Sequence, residues 1–82
     1  MYTTYILHSG RINKFYTGQT TDLTRRLAEH NRGKTSFMAS GIPWILVFFR
    51  TFNSRSDSIK FEKFIKNRGA LRFLNDNQIA VG

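Results

Sequence analysis

Cysteine is absent from the 82 residues. That excludes disulfide staples, thiolate zinc sites and iron–sulfur clusters, and it fits a reducing compartment. Acids are scarce too, with five Asp and Glu against 13 Lys and Arg. The chain has no Ser-His-Asp set, no phosphate-binding loop of the GxxxxGKT kind and no paired-carboxylate site. These absences argue against acyl transfer, NTP hydrolysis and glycoside hydrolysis. No apolar stretch approaches the roughly 20 residues of a membrane span. The start, Met1-Tyr2-Thr3-Thr4-Tyr5-Ile6, lacks a basic segment followed by an apolar run. We therefore expect a soluble, cytoplasmic chain without a membrane partner.

What is present points to one core and an anionic partner. About 40% of the residues are hydrophobic, including eight Phe, three Tyr and one Trp. Such large side chains suit a core without cross-links, and a chain of this length hides roughly 60 to 65% of its unfolded surface in one domain. We read 1–82 as that domain. The formal charge of +8 favours a polyanion. Scattered solubilising charge is the competing explanation. For a soluble domain the commonest polyanion is a phosphate backbone, and such binding weakens steeply with salt.

Tyr2 to His8 and Phe15 to Thr20 are strand-like and flank the polar stretch Ser9 to Lys14, which predicts an antiparallel hairpin. Thr21 or Asp22 can cap a helix running to His30, stopped by Asn31 to Gly33. Residues 34 to 43, with Ser40-Gly41 and the only proline, Pro43, read as a loop. Trp44 to Phe49 is a continuous apolar run and is expected to be the most buried strand. A second helix is expected from Asp57 to about Asn67, interrupted by Gly69, and a short third one from Ala70 to Asn77. The fold class that follows is α+β, a β-β-α-β-α domain with a three-stranded antiparallel sheet flanked by helices.

On the first helix Leu23 and Leu27 share a core-facing side, and Arg26 and His30 share a neighbouring one. Arg26 and His30 can thus point at one object, such as a phosphate gaining charge during cleavage. A solvated arginine and a dipole-compensating histidine fit the same spacing. Arg25, about 100° round the helix from Arg26, is a surface charge or a phosphate-positioning contact. Tyr5 and Tyr16 lie on the two hairpin strands and can meet on one face. A tyrosine can position or deprotonate water, but with an ordinary pKa near 10 it needs positive charge nearby. Strand tyrosines also serve simply as packing. Glu62 sits at the border of the apolar face made by Phe61, Phe64 and Ile65. One carboxylate with several waters can hold a hard divalent ion. An i,i+4 salt bridge to Lys66 is the equal alternative. Gly18 lets a backbone approach a phosphate or simply makes a turn. Trp44 could stack on a base, although its run reads as core. His8 reads as packed.

Thr3-Thr4-Tyr5, Tyr16-Thr17-Gly18 and Thr21 to Asn31, together with Gly41-Ile42-Pro43-Trp44 and Lys60 to Asn67, resemble the GIY-YIG nuclease superfamily. The resemblance is to its small members, which are similar to the nuclease domain of the excision-repair protein UvrC. It implies a metal-dependent endonuclease acting on DNA in repair or processing. Tyr5, Tyr16, Arg26, His30 and Glu62 would be its catalytic positions, with one Mg2+ or Mn2+ on Glu62. In such enzymes a tyrosine-activated water attacks phosphorus in line and leaves a 3′ hydroxyl. Gly18, Gln19, Arg25, Lys34 and Lys66 are assigned to substrate contacts. Gln19 stands near where UvrC-type domains carry a lysine, which weakens the positive potential. A downstream asparagine helps some members; Asn77 lies at a plausible distance, and we leave it out of the site. With few side chains to read bases, structure-selective cutting is expected over sequence-selective cutting. A noncatalytic nucleic-acid-binding module or accessory subunit is the alternative function. RNA as partner and a protein partner supplying specificity stay open.

Overall fold

The computed structural model describes residues 1–80; positions 81 and 82 of the expected domain range 1–82 lie outside the described residues. Tyr2–Ser9 (β1) and Lys14–Thr20 (β2) pair antiparallel, with Tyr5 opposite Gly18 and Leu7 opposite Tyr16. Local chemistry sets the turn. Asn13 takes a left-handed φ of 50°, which asparagine adopts more readily than most residues. The Ser9 hydroxyl accepts from the Ile12 N–H at 3.3 Å.

Asp22 caps Leu23–His30 (α1), its carboxylate accepting from the Arg25 N–H at 3.1 Å. The expected loop over 34–43 is corrected, since Ser36–Ser40 forms a short helix (α2). The reason is a cap that the polar composition hid: the Thr35 hydroxyl accepts from the Met38 N–H at 3.2 Å. Trp44–Phe52 (β3) follows and pairs antiparallel with β1, giving the order β2-β1-β3. Ser54 caps Arg55–Arg68 (α3), which begins two residues before the expected Asp57. Gly69, at φ +89°, separates α3 from Ala70–Asp76 (α4). This is the expected α+β class, a three-stranded antiparallel sheet flanked by helices.

One expectation about burial is overturned. β3 is an edge strand on which Ile45 and Phe49 are more than half exposed, whereas in central β1 every residue from Thr3 to Leu7 is buried. An apolar run records composition. Position in the sheet depends on which strands find partners, and β1 finds two.

Alternation along β1 then splits the core between two faces. Tyr5 and Leu7 pack with Trp44, Leu23 and Leu27 on the α1 side. Ile6 packs with Ile65, Phe73 and Leu74 on the α3 and α4 side. Each fully buried aliphatic side chain contributes about 1.5–3 kcal/mol. Polar ties fix the layers: the Thr4 hydroxyl donates to the Ser58 carbonyl at 2.7 Å, joining β1 to α3. The Asn31 side chain accepts from the Trp44 N–H at 2.7 Å and donates to its carbonyl at 3.1 Å. Trp44 is buried and its indole N–H donates to the Met38 carbonyl at 2.9 Å, so its ring is a core element and not a base-stacking surface.

Candidate active site

Strand pairing puts Tyr5 and Tyr16 on the same face of the hairpin, their ring centroids 6.2 Å apart. Burial of Leu23 and Leu27 orients α1 so that its last residue, His30, drops beneath the tyrosines. His30 is fully buried, with its ring centroid 4.5 Å from that of Tyr16 and its Nε2 3.2 Å from the Tyr5 hydroxyl. The three rings form one contact cluster. Tyr5 is buried, while Tyr16 is only partly so and borders a cleft with Thr17, Phe37, Lys66 and Arg72. Of the two phenols, Tyr16 is the one open to a substrate.

Gly18 explains how the pair fits. A Cβ built there would lie 2.7 Å from the Tyr5 hydroxyl oxygen and 3.0 Å from Cε1 of Tyr16. The Tyr5 phenol therefore lies across the glycine, which is itself buried. On this face the space above Gly18 belongs to Tyr5.

Electrostatics bind the remaining positions to this cluster. Burial pushes the Tyr5 phenol well above the usual tyrosine range, with Tyr16, Glu62 and Glu29 acting in the same direction and Arg26 against them. Tyr5 thus stays protonated at neutral pH. Burial, then the Arg26 guanidinium, lower the His30 pKa, and Glu29 opposes them. The imidazole is therefore neutral at pH 7. Its Nδ1 is buried and without a hydrogen-bond partner among the described residues, which a neutral ring tolerates far better than a charged one. Arg26 lies one helical turn before His30 on α1, and its charge opposes the rise of the Tyr5 pKa, whereas Glu62 on α3 adds to it.

The acids are engaged by cations. Glu29 faces Arg25 at 3.7 Å, Arg26 at 3.6 Å and Lys34 at 3.4 Å. These cations lower its pKa, against the opposing effect of desolvation. Sequence reading passed over this residue, and no spacing signal announces a carboxylate with three partners. Glu62 is paired with Lys66 at 2.9 Å. No group of three metal-ligating side chains occurs among the described residues. A lone, partly exposed carboxylate whose partner Lys66 lines the cleft beside Tyr16 does fit a hard ion that keeps its waters and takes further oxygens from a phosphate. Lys66 is the exposed member of this i,i+4 pair, and such pairs on a helix surface stabilise by only about a few tenths of a kcal/mol.

Gln19 and Arg25 line a second cleft together with Tyr2, Arg26 and Arg55. Lys34 lines neither of these two clefts, and Lys66 lines the one beside Tyr16. Tyr2, Arg55 and Arg72 were not legible as site residues, since only tertiary folding carries them there. Asn77 lies apart, its side chain donating to the Phe73 carbonyl at 2.8 Å. His8 is packed on Phe15 and meets Asn13 at 3.2 Å.

Comparison with known proteins bears on the family. A family model for the GIY-YIG catalytic domain matches residues 1–73, which contain all five expected catalytic positions. A UPF0213 protein of Streptococcus pneumoniae is 33% identical over 78 residues, covering 90% of this chain and 78% of that protein. UPF0213 proteins of Listeria welshimeri and Streptococcus pyogenes are 40% and 39% identical over 55 and 54 residues, or 66% and 65% of this chain. Those two matches span 61% and 59% of the relatives' own lengths.

Proposed function

This chain belongs to the GIY-YIG catalytic-domain family, a nuclease family, and on that premise we propose that it is a divalent-metal-dependent endonuclease that hydrolyses DNA phosphodiester bonds. One observation carries the proposal: Tyr5, Tyr16 and His30 form one contact cluster, and Tyr16 borders a cleft lined by the cations Lys66, Arg68 and Arg72, of which Lys66 pairs with Glu62.

In this mechanism Tyr16 meets the attacking water, because Tyr5 is buried and held protonated. The Tyr16 hydroxyl oxygen accepts a hydrogen bond from the water and aims it at phosphorus, and the water's proton passes to solvent as its oxygen bonds to phosphorus. The bond from phosphorus to the 3′ oxygen breaks, and that oxygen takes a proton from solvent to become a 3′ hydroxyl. Tyr5 and neutral His30 hold Tyr16 in place through ring contact and the hydrogen bond between them. Arg26, half exposed and only loosely paired with Glu29, is free to turn its guanidinium toward the phosphate, where charge grows. Glu62 would hold the divalent ion, magnesium or manganese, which supplies charge neutralisation at the phosphate oxygens. A domain this small has few side chains to read bases, which supports recognition of backbone and shape, as in repair or processing of branched or damaged DNA.

The test is nicking of supercoiled and branched DNA with magnesium or manganese. Wild type is expected to cut, and Glu62→Ala and Arg26→Ala to lose activity by about two to three orders of magnitude, the usual loss when one charge-stabilising group is removed. Equal residual cutting by wild type and both variants would sink the assignment. The engagement of Glu62 by Lys66 favours a second reading, a noncatalytic DNA-binding module. Tight, salt-sensitive binding without cleavage under any metal would establish that reading instead.

A further inference from the structure

The second cleft brings together arginines that are distant in sequence. Arg25 and Arg26 come from the first turn of α1, and Arg55 opens α3. Tyr2, Gln19, Thr20 and Thr21 supply polar groups at the same mouth, and Asp22 is its one acid. The Asp22 carboxylate already accepts the Arg25 N–H, so it is committed to capping α1. Three arginines against one acid leave the cleft positive by two charges.

The arginines are not equally compensated. Arg25 and Arg26 both lean on Glu29, at 3.7 and 3.6 Å, beyond the range of a good hydrogen bond. Arg55 takes part in none of the ion pairs among the described residues. It is also exposed, so its guanidinium contributes full charge and all its donors to an incoming anion. The guanidinium fork matches a phosphate bidentately, and Arg26 is shared between this cleft and the site at Tyr5.

We propose that this cleft is a second phosphate subsite, in which Arg55, with Arg25 and the Gln19 side chain, holds the DNA backbone phosphate next to the one held at Arg26. It rests on the nuclease reading only in naming DNA as the strand. Arg55 is thereby a substrate-positioning residue, and strands long enough to fill both subsites bind more tightly than those that fill one.

The experiment measures binding of the full chain to a fluorescein-labelled DNA duplex in EDTA, across a salt series, and cleavage of the same DNA with magnesium. Arg55→Gln removes the charge, Arg55→Lys keeps it without the fork, and Lys60→Gln removes an exposed charge elsewhere on α3. For Arg55→Gln we expect affinity to fall roughly three- to tenfold and the slope of log K against log salt to drop by about 1. KM for cleavage should rise while kcat holds. Arg55→Lys should recover the salt slope but not the full affinity, and Lys60→Gln should change both less than Arg55→Gln does. Wild-type affinity and slope in Arg55→Gln, or a loss equal to that of Lys60→Gln, overturns the subsite. If Arg55→Gln loses affinity and slope although no metal supports cleavage by wild type, the nuclease reading fails and the subsite stands. If wild type cuts and Arg55→Gln cuts with unchanged KM, the subsite fails and the nuclease stands. A wild type that does not bind DNA even at low salt overturns both.

Discussion

Substituting Gly18→Ala probes the tyrosine pair without removing any polar group. The new Cβ would stand 2.7 Å from the Tyr5 hydroxyl oxygen, 2.9 Å from its Cζ and 3.0 Å from Cε1 of Tyr16. Two effects oppose each other. Replacing glycine inside a strand recovers about 0.5–1 kcal/mol of backbone entropy. Overpacking costs about 1–3 kcal/mol, and here it falls near the upper half, because Tyr5 is buried on the central strand and cannot swing into solvent. The net loss is about 1–2 kcal/mol. For a domain of this size that lowers Tm by roughly 4–8 °C for each kcal/mol. Thermal unfolding followed by circular dichroism reads it directly. The same variant should lose nicking activity, since Tyr16 is displaced together with Tyr5. Tyr5→Phe removes the atom of closest approach, so Gly18→Ala should cost less in that background, with a coupling of about 1 kcal/mol. An unchanged or raised Tm, or an identical cost in the Tyr5→Phe background, would refute the reasoning.

Acid should loosen the fold through His30, whose pKa burial and Arg26 depress. The unfolded chain binds that proton near its ordinary pKa of about 6.5, so the contribution is present above that pH and is lost as pH falls through it. Unfolding midpoints in urea should drop from pH 7.5 to 5.5, and His30→Gln should flatten the dependence. Tyr5 works at the other extreme: its folded pKa is raised, so its contribution is full below about pH 10 and fades as pH rises beyond it. Tyr5→Phe should abolish that alkaline loss in the same assay. Asn31→Ala leaves the Trp44 N–H and carbonyl without their side-chain partner and should cost about 1–3 kcal/mol by urea unfolding, with little change in DNA affinity.

Much of the fold was legible because its signals are local. The hairpin, the Asp22 cap, the Leu23 and Leu27 stripe and the glycine break at Gly69 each depend on neighbours in sequence, and each stands where its residues put it. The burial order of the strands was not legible. An apolar run such as Trp44 to Phe49 says nothing about whether one or two strands will pair with it, and β3 is left with a free edge. The short helix at Ser36–Ser40 was missed because its single cap, Thr35, is outweighed by serine, glycine and proline around it.

For the site, the sequence by itself determined the kinds of group available: two strand tyrosines, an arginine and histidine one turn apart, and an acid on the apolar border of a later helix. Only the tertiary structure decided which tyrosine is buried, that His30 is neutral and enclosed, that Glu29 gathers three cations, and that Arg55 arrives beside Arg26. The physical reason is one of range. Caps, turns and periodicity act over a few residues. Burial and charge act across space, and distance in space is set only after the helices have packed onto both faces of the sheet.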